Sequence, residues 1–311
     1  MPSDVVWLFP GQGAQHVGMG KALSDRYTAA VRVFDDAGPI LGIDLRALCF
    51  DGPAETLERT DNAQPAILAT SIAALRSAEE ALGHALAEPL AVAGHSLGEY
   101  SAIVAAGAIS LSDGLRLVRR RGELMHAAAA KDGGMAAVIG LDASTIERAI
   151  DRTGMVIAND NAPGQVVISG PLEKFPEAID VLKGAGAKRV IPLRVSAAFH
   201  SPAMRAVAPD LAIALAAATW GPLRYTLIAN VDADAHEHAR ELAALLERQV
   251  WSPVRWVEIV RRAADMGATT FVEFGPGNVL TGLVKRILPE ARTANVSDPA
   301  TLEAALPLLA P

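Results

Sequence analysis

The stretch Leu90-Ala91-Val92-Ala93-Gly94-His95-Ser96-Leu97-Gly98 decides the fold of this chain. Its first four residues are apolar and predict a buried strand, and the alanine-rich run that follows predicts a helix. Between strand and helix lies a G-x-S-x-G pattern, whose small residues let the backbone bend sharply and present the serine hydroxyl. A strand that turns directly into a helix is typical of α/β folds with a parallel sheet.

Ser96 is the candidate nucleophile of this turn. The helix that begins near Leu97 aims its free N–H groups and the positive end of its dipole at the place where an oxyanion would develop. The pattern therefore favours acyl transfer through a serine ester. The alternative is a glycine-rich turn with an incidental serine, because five-residue patterns of this kind recur by chance.

The rest of the chain alternates between short apolar strands and amphipathic helices. We predict a strand at Val5–Phe9, a helix within Met19–Phe34, a further helix from Pro65 onward, and a late strand at Thr270–Phe274. This alternation indicates an α/β layered fold with a mostly parallel sheet.

Residues 132–196 follow a different order, strand, helix, strand, strand, helix, strand, which is that of a ferredoxin-like unit. The predicted elements are Met135–Ile139, Ser144–Arg152, Met155–Ala158, Val166–Ser169, Glu173–Lys183 and Lys188–Val195. We predict a small subdomain at 132–196, inserted into a catalytic domain formed by 1–131 and 197–311. Gly133-Gly134 would be the hinge, and a ligand cleft would lie between the two units.

Composition excludes several classes of protein. A chain of 311 residues, 51% hydrophobic and 20% charged, is long enough to bury a substantial core. The single cysteine, Cys49, excludes an internal disulfide and any metal site built from several cysteines. A net charge of −7 argues against nucleic acid as the main partner. With no run of about 18 apolar residues and no signal-like start, we expect a cytoplasmic protein without a membrane span.

A serine nucleophile needs a base, and histidine is the usual one. Among the seven histidines, His200 follows an apolar strand, at the kind of strand end where catalytic residues of α/β sheets collect. Residue pattern alone leaves a structural role for His200 equally open. His95 adjoins Ser96, but consecutive side chains diverge, so we expect it to support the turn.

A second glycine-rich loop, Pro10-Gly11-Gln12-Gly13-Ala14-Gln15, follows the first strand. It lacks both the Rossmann spacing and the lysine of a phosphate-binding loop. Its glycines would let the Gln12 amide approach another strand end closely. We expect Gln12 to be a second oxyanion donor beside the Leu97 N–H.

Arg121 falls on the apolar half of the predicted helix Asp113–His126, whereas the other arginines of that helix fall on the opposite half. An uncompensated guanidinium there would cost several kcal/mol, so Arg121 requires an anionic partner. That partner is either a substrate carboxylate, which a guanidinium binds bidentately, or an internal Asp or Glu.

Taken together, the motifs resemble those of malonyl-CoA:acyl carrier protein transacylases, in the same order and over nearly the whole chain. The matching blocks are Gly11-Gln12-Gly13, Gly94-His95-Ser96-Leu97-Gly98-Glu99, Arg121-Gly122 with Met125, Asn161 with Gln165-Val166-Val167-Ile168-Ser169-Gly170, Phe199-His200, Gln249-Val250-Trp251-Ser252-Pro253-Val254 and Phe274-Gly275-Pro276-Gly277. The resemblance implies a hydrolase-like α/β domain that carries a ferredoxin-like insert.

The resemblance also implies a role for each matching residue. Ser96 would be the acylated nucleophile, His200 its base, and Gln12 and the Leu97 N–H the oxyanion donors. The backbone carbonyl of Gln249 would orient the histidine in place of a carboxylate. The residues implied for substrate binding are Arg121, as clamp on the malonyl carboxylate, Gln12, Asn161 and Phe199. The Phe199 ring would disfavour an α-methyl branch on the acyl group.

The activity implied is malonyl transfer from malonyl-CoA to the phosphopantetheine thiol of an acyl carrier protein, for fatty-acid synthesis. We expect no metal and no cofactor beyond these two substrates, no nucleic-acid or membrane partner, and a monomer. Two alternatives stay open: a free-standing acyltransferase that serves a polyketide synthase, and a serine thioesterase or hydrolase that uses the same turn.

Overall fold

The structure, a computed structural model, describes residues 3–128, 132–193, 195 and 197–311. Its strands are β1 (Val5–Phe9), β2 (Ala91–Gly94), β3 (Gly133–Ile139), β4 (Val156–Ala162), β5 (Gln165–Pro171), β6 (Arg189–Pro192), β7 (Leu227–Ile228), β8 (Ala235–His236), β9 (Thr270–Phe274) and β10 (Arg292–Val296). Its α-helices are α1 (Lys21–Arg26), α2 (Thr28–Leu41), α3 (Leu45–Asp51), α4 (Ala54–Glu58), α5 (Thr60–Leu82), α6 (Gly98–Ala105), α7 (Leu111–Ala127), α8 (Ala143–Ile150), α9 (Phe175–Gly184), α10 (Ala208–Ala217), α11 (Ala239–Gln249), α12 (Trp256–Asp265), α13 (Val279–Ile287) and α14 (Pro299–Leu309).

The larger sheet has the strand order β10-β9-β1-β2-β7-β8, and only the short edge strand β8 pairs antiparallel to its neighbour. The central strand β1 is buried along its whole length. Trp7 and Phe9 face one hydrophobic core, and Val6 and Leu8 face another. This burial on both faces explains the unbroken apolar run of the strand, because helices cover both sides of a parallel sheet.

Helices form the outer layers. On the side of Trp7, the core includes Phe34 from α2 and Leu68 from α5. On the opposite side, Trp256 from α12 and Leu283 from α13 close the second core. The carboxyl ends of the parallel strands therefore meet at a single edge of the sheet, the usual place for a ligand site in such folds.

Strands β3 to β6 form the smaller sheet, whose order β4-β5-β3-β6 is antiparallel throughout. Helices α8 and α9 pack on it, and Ile146 and Leu182 share a core with Val138 and Ile168. The order β-α-β-β-α-β confirms the predicted ferredoxin-like insert in an α/β fold.

Strand β4 of the small sheet is hydrogen-bonded to the segment between α11 and α12 of the larger unit. The amide of Val254, in the segment between α11 and α12, donates to the carbonyl of Ala158 at 2.9 Å, and the Asp160 amide donates to the Val254 carbonyl at 3.0 Å. The small sheet is therefore hydrogen-bonded to a segment of the larger unit beside the edge where the parallel strands end.

Gly133-Gly134, predicted as the hinge, are the first two residues of β3 and pair with β5, and the hinge stays a prediction. Their lack of a side chain allows close packing. A Cβ on Gly133 would lie 2.8 Å from the amide nitrogen of Ala198, and one on Gly134 would lie 2.8 Å from Leu172 Cδ2.

The helix expected within Met19–Phe34 is two helices, α1 and α2, because Tyr27 between them has an extended backbone. The predicted strand Lys188–Val195 ends at Pro192, and its residue Arg194 lies outside the described residues. The predicted limits of the two domains adjoin residues 131 and 196, which are also undescribed, and they stay predictions.

Candidate active site

Ser96 lies in the turn between β2 and α6, at the carboxyl edge of the larger sheet. Its φ of 51° lies in the left-handed region, which a residue other than glycine adopts only at a cost. A Cβ on Gly94 would lie 1.9 Å from the carbonyl carbon of Gly98, and one on Gly98 would lie 2.0 Å from the Phe9 carbonyl oxygen. Both glycines of the G-x-S-x-G pattern are therefore required by the close approach of backbone.

Two side-chain amides hold the backbone of this strained turn. The Ser96 N–H donates to Asn230 Oδ1 at 2.7 Å, and Gln249 Nε2 donates to the Ser96 carbonyl at 2.9 Å. Asn230 Nδ2 also donates to the Gly94 carbonyl at 2.7 Å. The strain at Ser96 persists because polar groups from two distant parts of the chain fix the peptide groups on either side of it.

His200 meets the Ser96 hydroxyl directly. Its Nε2 lies 2.8 Å from Ser96 Oγ, and its Nδ1 lies 3.0 Å from the carbonyl oxygen of Gln249 and 3.1 Å from that of Ser252. Because a carbonyl only accepts hydrogen bonds, Nδ1 carries the proton. Nε2 is then free to accept the proton of the serine hydroxyl.

The electrostatic surroundings keep the His200 imidazole neutral. Burial, with a smaller effect of the nearby Arg121 cation, lowers the pKa of His200 to about 3. A neutral imidazole is the form that can accept a proton from serine. Sequence pattern left His200 open between a base and a structural residue, and the structure places it against the nucleophile.

Arg121 is almost fully buried, with 1% of its surface exposed. Its Nη1 donates to Gln64 Oε1 at 2.8 Å, and its Nη2 donates to Gln249 Oε1 at 2.9 Å and to Ser96 Oγ at 3.1 Å. Among the described residues no Asp or Glu side chain is in direct ion-pair contact with Arg121, and Glu99 reaches it only through Gln249 and at longer range. Of the two partners considered for Arg121, an internal carboxylate in direct contact is therefore not found in the described part of the chain.

Glu99 completes a polar network under the nucleophile that sequence analysis missed. Its Oε2 accepts from Gln249 Nε2 at 2.7 Å and from the Asn230 backbone N–H at 3.2 Å. Burial raises the pKa of this carboxyl to about 7. One available signal was that Asn230, which holds Glu99, lies two residues after the end of β7, at a strand end where functional residues of α/β sheets collect.

The two expected oxyanion donors lie at the same site. Leu97 precedes the first residue of α6, where backbone N–H groups have no acceptor within the helix. Gln12 lines the same cavity as Ser96, and its Nε2 donates to Thr60 Oγ1 at 3.2 Å. The loop of Gln12 can approach the Ser96 turn closely because Gly11 has no side chain. A Cβ on Gly11 would lie only 2.4 Å from the carbonyl oxygen of His95.

Asn161 and His95 connect the turn to the small sheet. His95 Nε2 lies 2.8 Å from Asn161 Oδ1, and the His95 ring packs against Trp256 with a centroid separation of 5.5 Å. This contact fits the expectation that His95 supports the turn. Asn161 is held by His95 beside the cavity, whereas Asn159, which sequence analysis did not single out, contributes to the cavity wall.

A cavity of about 330 Å³ opens over Ser96, between the two sheets. Its lining residues include Gln12, His95, Ser96, Arg121, Met125, Met135, Asn159, Phe199 and His200. Polar groups thus converge on the serine hydroxyl, while methionine and phenylalanine side chains supply the apolar walls that shield a reacting ester from water. The predicted cleft between the two units lies at this position.

Within the part of the chain that the structure describes, no cluster of three or more His, Cys, Asp or Glu side chains is arranged to hold a metal ion. Over the same residues, none of the helices combines the length and the apolar character that crossing a bilayer requires.

Comparison with known proteins identifies the family. A family profile described as an acyl transferase domain matches residues 6–306. The malonyl CoA-acyl carrier protein transacylase of Bacillus subtilis is 44% identical over 313 residues, which cover 99% of this chain and 98% of that protein.

Solved structures agree with this similarity. An acyl carrier protein S-malonyltransferase from Vibrio cholerae superposes with a TM-score of 0.94 at 41% identity, covering 97% of this chain and 100% of that one. A malonyl-transacylase solved in complex with a type II PKS acyl-carrier protein also reaches 0.94 at 41% identity, covering 98% of this chain and 99% of that one. Since both comparisons extend over nearly the full length, the chain belongs to the malonyl-CoA:acyl carrier protein transacylase family of acyl transferases.

Proposed function

We propose that this protein transfers a malonyl group from malonyl-CoA, through an ester on Ser96, to the phosphopantetheine thiol of an acyl carrier protein. One observation carries the proposal. The serine hydroxyl lies 2.8 Å from a neutral imidazole and 3.1 Å from a buried guanidinium that makes no direct ion pair with an acidic side chain among the described residues. A nucleophile and a carboxylate-binding group thus share one small cavity.

In the first half-reaction His200 Nε2 accepts the hydroxyl proton as Ser96 Oγ attacks the thioester carbonyl. The Leu97 N–H and the Gln12 amide stabilise the resulting oxyanion. The carbonyls of Gln249 and Ser252 stabilise the imidazolium that forms, as a carboxylate does in other serine enzymes. The C–S bond then breaks, and the protonated His200 gives its proton to the departing CoA thiolate.

In the second half-reaction the carrier thiol gives its proton to His200 and attacks the Ser96 ester. The tetrahedral intermediate collapses, the ester C–O bond breaks, and His200 returns the proton to Ser96 Oγ. Each half-reaction exchanges a thioester and an ester, so concentrations of the two thiols set the direction. The residues described need no metal or redox cofactor for these steps, and this expectation is part of the proposal.

Arg121 binds the free carboxylate of the malonyl group. Before acylation one Nη2–H is donated to Ser96 Oγ. An ester oxygen is a poorer acceptor than a hydroxyl, so acylation releases this donor for the carboxylate. The salt bridge orders the acyl group in the cavity, where the ester is sheltered from hydrolysis.

The biosynthetic pathway that the protein serves is a separate question from its chemistry. We place the protein in fatty-acid synthesis, as a monomer in the cytoplasm. Service to a polyketide synthase is the second candidate, because one structurally similar malonyl-transacylase was solved with a carrier protein of that kind.

Intact-mass measurement after mixing the protein with malonyl-CoA tests the chemistry. We expect a malonyl adduct that persists until a carrier thiol is added, and no adduct on the Ser96→Ala variant. Free CoA that accumulates over many turnovers without a carrier would identify a hydrolase instead. Comparing fatty-acid and polyketide carrier proteins as acceptors then distinguishes the two pathways.

A further inference from the structure

Glu99 and Arg121 are two buried, oppositely charged residues connected through a single amide. Gln249 Nε2 donates to Glu99 Oε2 at 2.7 Å, and Gln249 Oε1 accepts from Arg121 Nη2 at 2.9 Å. Glu99 is 0% exposed and Arg121 is 1% exposed. The Gln249 side chain is fully buried as well. The carboxylate and the guanidinium therefore face each other across one polar group, shielded from solvent.

The charges around this pair balance only while the substrate is absent. A single buried charge is far more costly than a compensated pair, because burial removes its hydration. With Glu99 ionised and Arg121 cationic, the unloaded site is close to neutral. A malonyl carboxylate on Arg121 would add a second anion to a site that has one cation.

The contacts of Glu99 allow it to give up its charge without losing its place. Its Oε2 accepts two hydrogen bonds, from Gln249 Nε2 and the Asn230 N–H, while its Oε1 has no partner among the described residues. A proton added on Oε1 would leave both of these hydrogen bonds intact. The carboxyl can therefore be neutral or ionised in the same geometry.

Other charged groups near Glu99 shift the pKa of its carboxyl in opposite directions. Arg121, from α7, favours the ionised form of Glu99, and Asp232, from the segment between β7 and β8, disfavours it. Tyr100 and His200 are neutral near pH 7, because burial raises the pKa of the tyrosine and lowers that of the histidine. Burial, the largest influence, raises the pKa of Glu99 to about 7, so the two forms of this carboxyl have similar populations near neutral pH.

We propose that Glu99 is the resident counter-charge of Arg121, and that it accepts a proton from solvent when the malonyl carboxylate takes over that role. The inference rests on the proposed function. Glu99 is a positioning residue in this scheme, since it touches neither the acyl group nor the reacting atoms. It holds the amides of Gln249 and Asn230, and it takes up a proton from solvent in those cycles that begin with the carboxyl ionised.

Proton uptake on acylation is the direct test. The wild-type protein is mixed with excess malonyl-CoA in weakly buffered solution containing a pH indicator, and the adduct is counted by intact mass. We expect a fractional uptake, less than one proton per malonyl adduct, at pH 7, because some of the Glu99 carboxyls are already protonated beforehand. Uptake should increase at pH 8, where more of them start ionised.

Two variants test whether Glu99 is the residue that takes up the proton. Glu99→Gln keeps an oxygen acceptor but cannot titrate, so uptake should disappear while the adduct still forms. Glu273→Gln is the matched control, because Glu273 is also a buried carboxyl with a pKa raised to about 7, yet its partners are the backbone amides of Leu280 and Thr281. Uptake should be unchanged in the control.

Each other outcome overturns the inference. Adduct formation by the wild-type protein without proton uptake would do so, and this result needs no variant to fold. Uptake that survives in Glu99→Gln would place the proton elsewhere, for example on His200. A wild-type protein that forms no malonyl adduct would overturn the proposed function first, and the mass measurement separates that failure from the others.

Discussion

His200 Nδ1 lies 3.0 Å from the main-chain carbonyl oxygen of Gln249, so a neutral peptide group orients the base of this site. A second carbonyl, from Ser252, lies at 3.1 Å. Two peptide dipoles supply the acceptor that a carboxylate supplies in many serine enzymes, without adding a third buried charge near Arg121. Substitution of the Gln249 side chain leaves this carbonyl in place, and mutations alone would not reveal its role.

The pH dependence of acylation follows from the environment of His200. Because its pKa is lowered from 6.5 to about 3, the imidazole stays in the neutral, proton-accepting form throughout the range from pH 7 to pH 5. We therefore expect that protonation of His200 does not slow CoA release in the first turnover over this range. A histidine with the ordinary pKa would lose about 20-fold in its neutral fraction over the same interval. A titration midpoint near 6.5 that remains in stopped-flow data for Glu99→Gln, which lacks the neighbouring carboxyl with a pKa of about 7, would contradict this expectation.

Removing Arg121 should change acyl preference. For Arg121→Ala we expect kcat/KM for malonyl-CoA to fall by about 100-fold, equivalent to the roughly 3 kcal/mol of a charge-assisted hydrogen bond. Transfer of acetyl or longer acyl groups, which lack the carboxylate, should rise. The measurement is a competition between malonyl-CoA and acetyl-CoA followed by intact mass. An unchanged preference would exclude the carboxylate-binding role.

The Phe199 ring should limit branching at the α-carbon of the acyl group. It lines the cavity directly before His200 and is 7% exposed. Phe199→Ala would open space for one methyl group, which is worth about 10- to 200-fold in discrimination. We expect the ratio of methylmalonyl to malonyl transfer to rise within that range. A ratio that stays at the wild-type value would place the selecting group elsewhere in the cavity.

The nucleophile turn should tolerate no side chain at Gly98. In Gly98→Ala the new Cβ would meet the Phe9 carbonyl oxygen at 2.0 Å, so the backbone must shift. We expect a loss of more than about 2 kcal/mol in the free energy of unfolding. Gly282→Ala is the control, because this glycine lies inside α13 with nothing within 4 Å of the new Cβ. That variant should be stabilised by about 0.5–1 kcal/mol in urea unfolding.

Glu273 should make stability fall as pH rises. Its pKa is raised from 4.5 to about 7 by burial, so between these pH values the native protein keeps a proton that the unfolded chain releases. The native state is then penalised by up to about 3 kcal/mol above pH 7, and not below pH 4.5. In Glu273→Gln this part of the pH dependence should vanish. Urea unfolding of both proteins at pH 4.5 and 7.5 makes the comparison, and equal pH effects would refute the assignment.

Sequence patterns predicted the central strands because their burial leaves a strong apolar signal. Strand β1 was predicted with its observed limits, and it is buried along its whole length. Strand β10 was not predicted, since it lies at the edge of the sheet and only one of its five residues is buried. An edge strand keeps polar residues such as Arg292 and Asn295, and no apolar run marks it.

The active site also contains residues that the sequence pattern marks and residues that it does not mark. Ser96 and Arg121 could be singled out because each breaks a local rule, a serine in a glycine-flanked turn and a guanidinium on an apolar helix face. Glu99 has no such mark, because its partner Gln249 is 150 residues away along the chain. Only the tertiary fold brings the carboxylate, the amide and the guanidinium together.

The two hydrogen bonds between β4 and Val254 have a mechanical consequence for the catalytic base. Val254 bonds to β4 on both sides, through Ala158 and Asp160, and the same short segment carries the Ser252 carbonyl that holds His200. A movement of the small sheet that widens the cleft would pull on this segment and tilt the imidazole away from the serine. Residues 252–254 thus connect β4 of the small sheet to the catalytic base, so the wall of the cleft and the orientation of the imidazole depend on the same three residues.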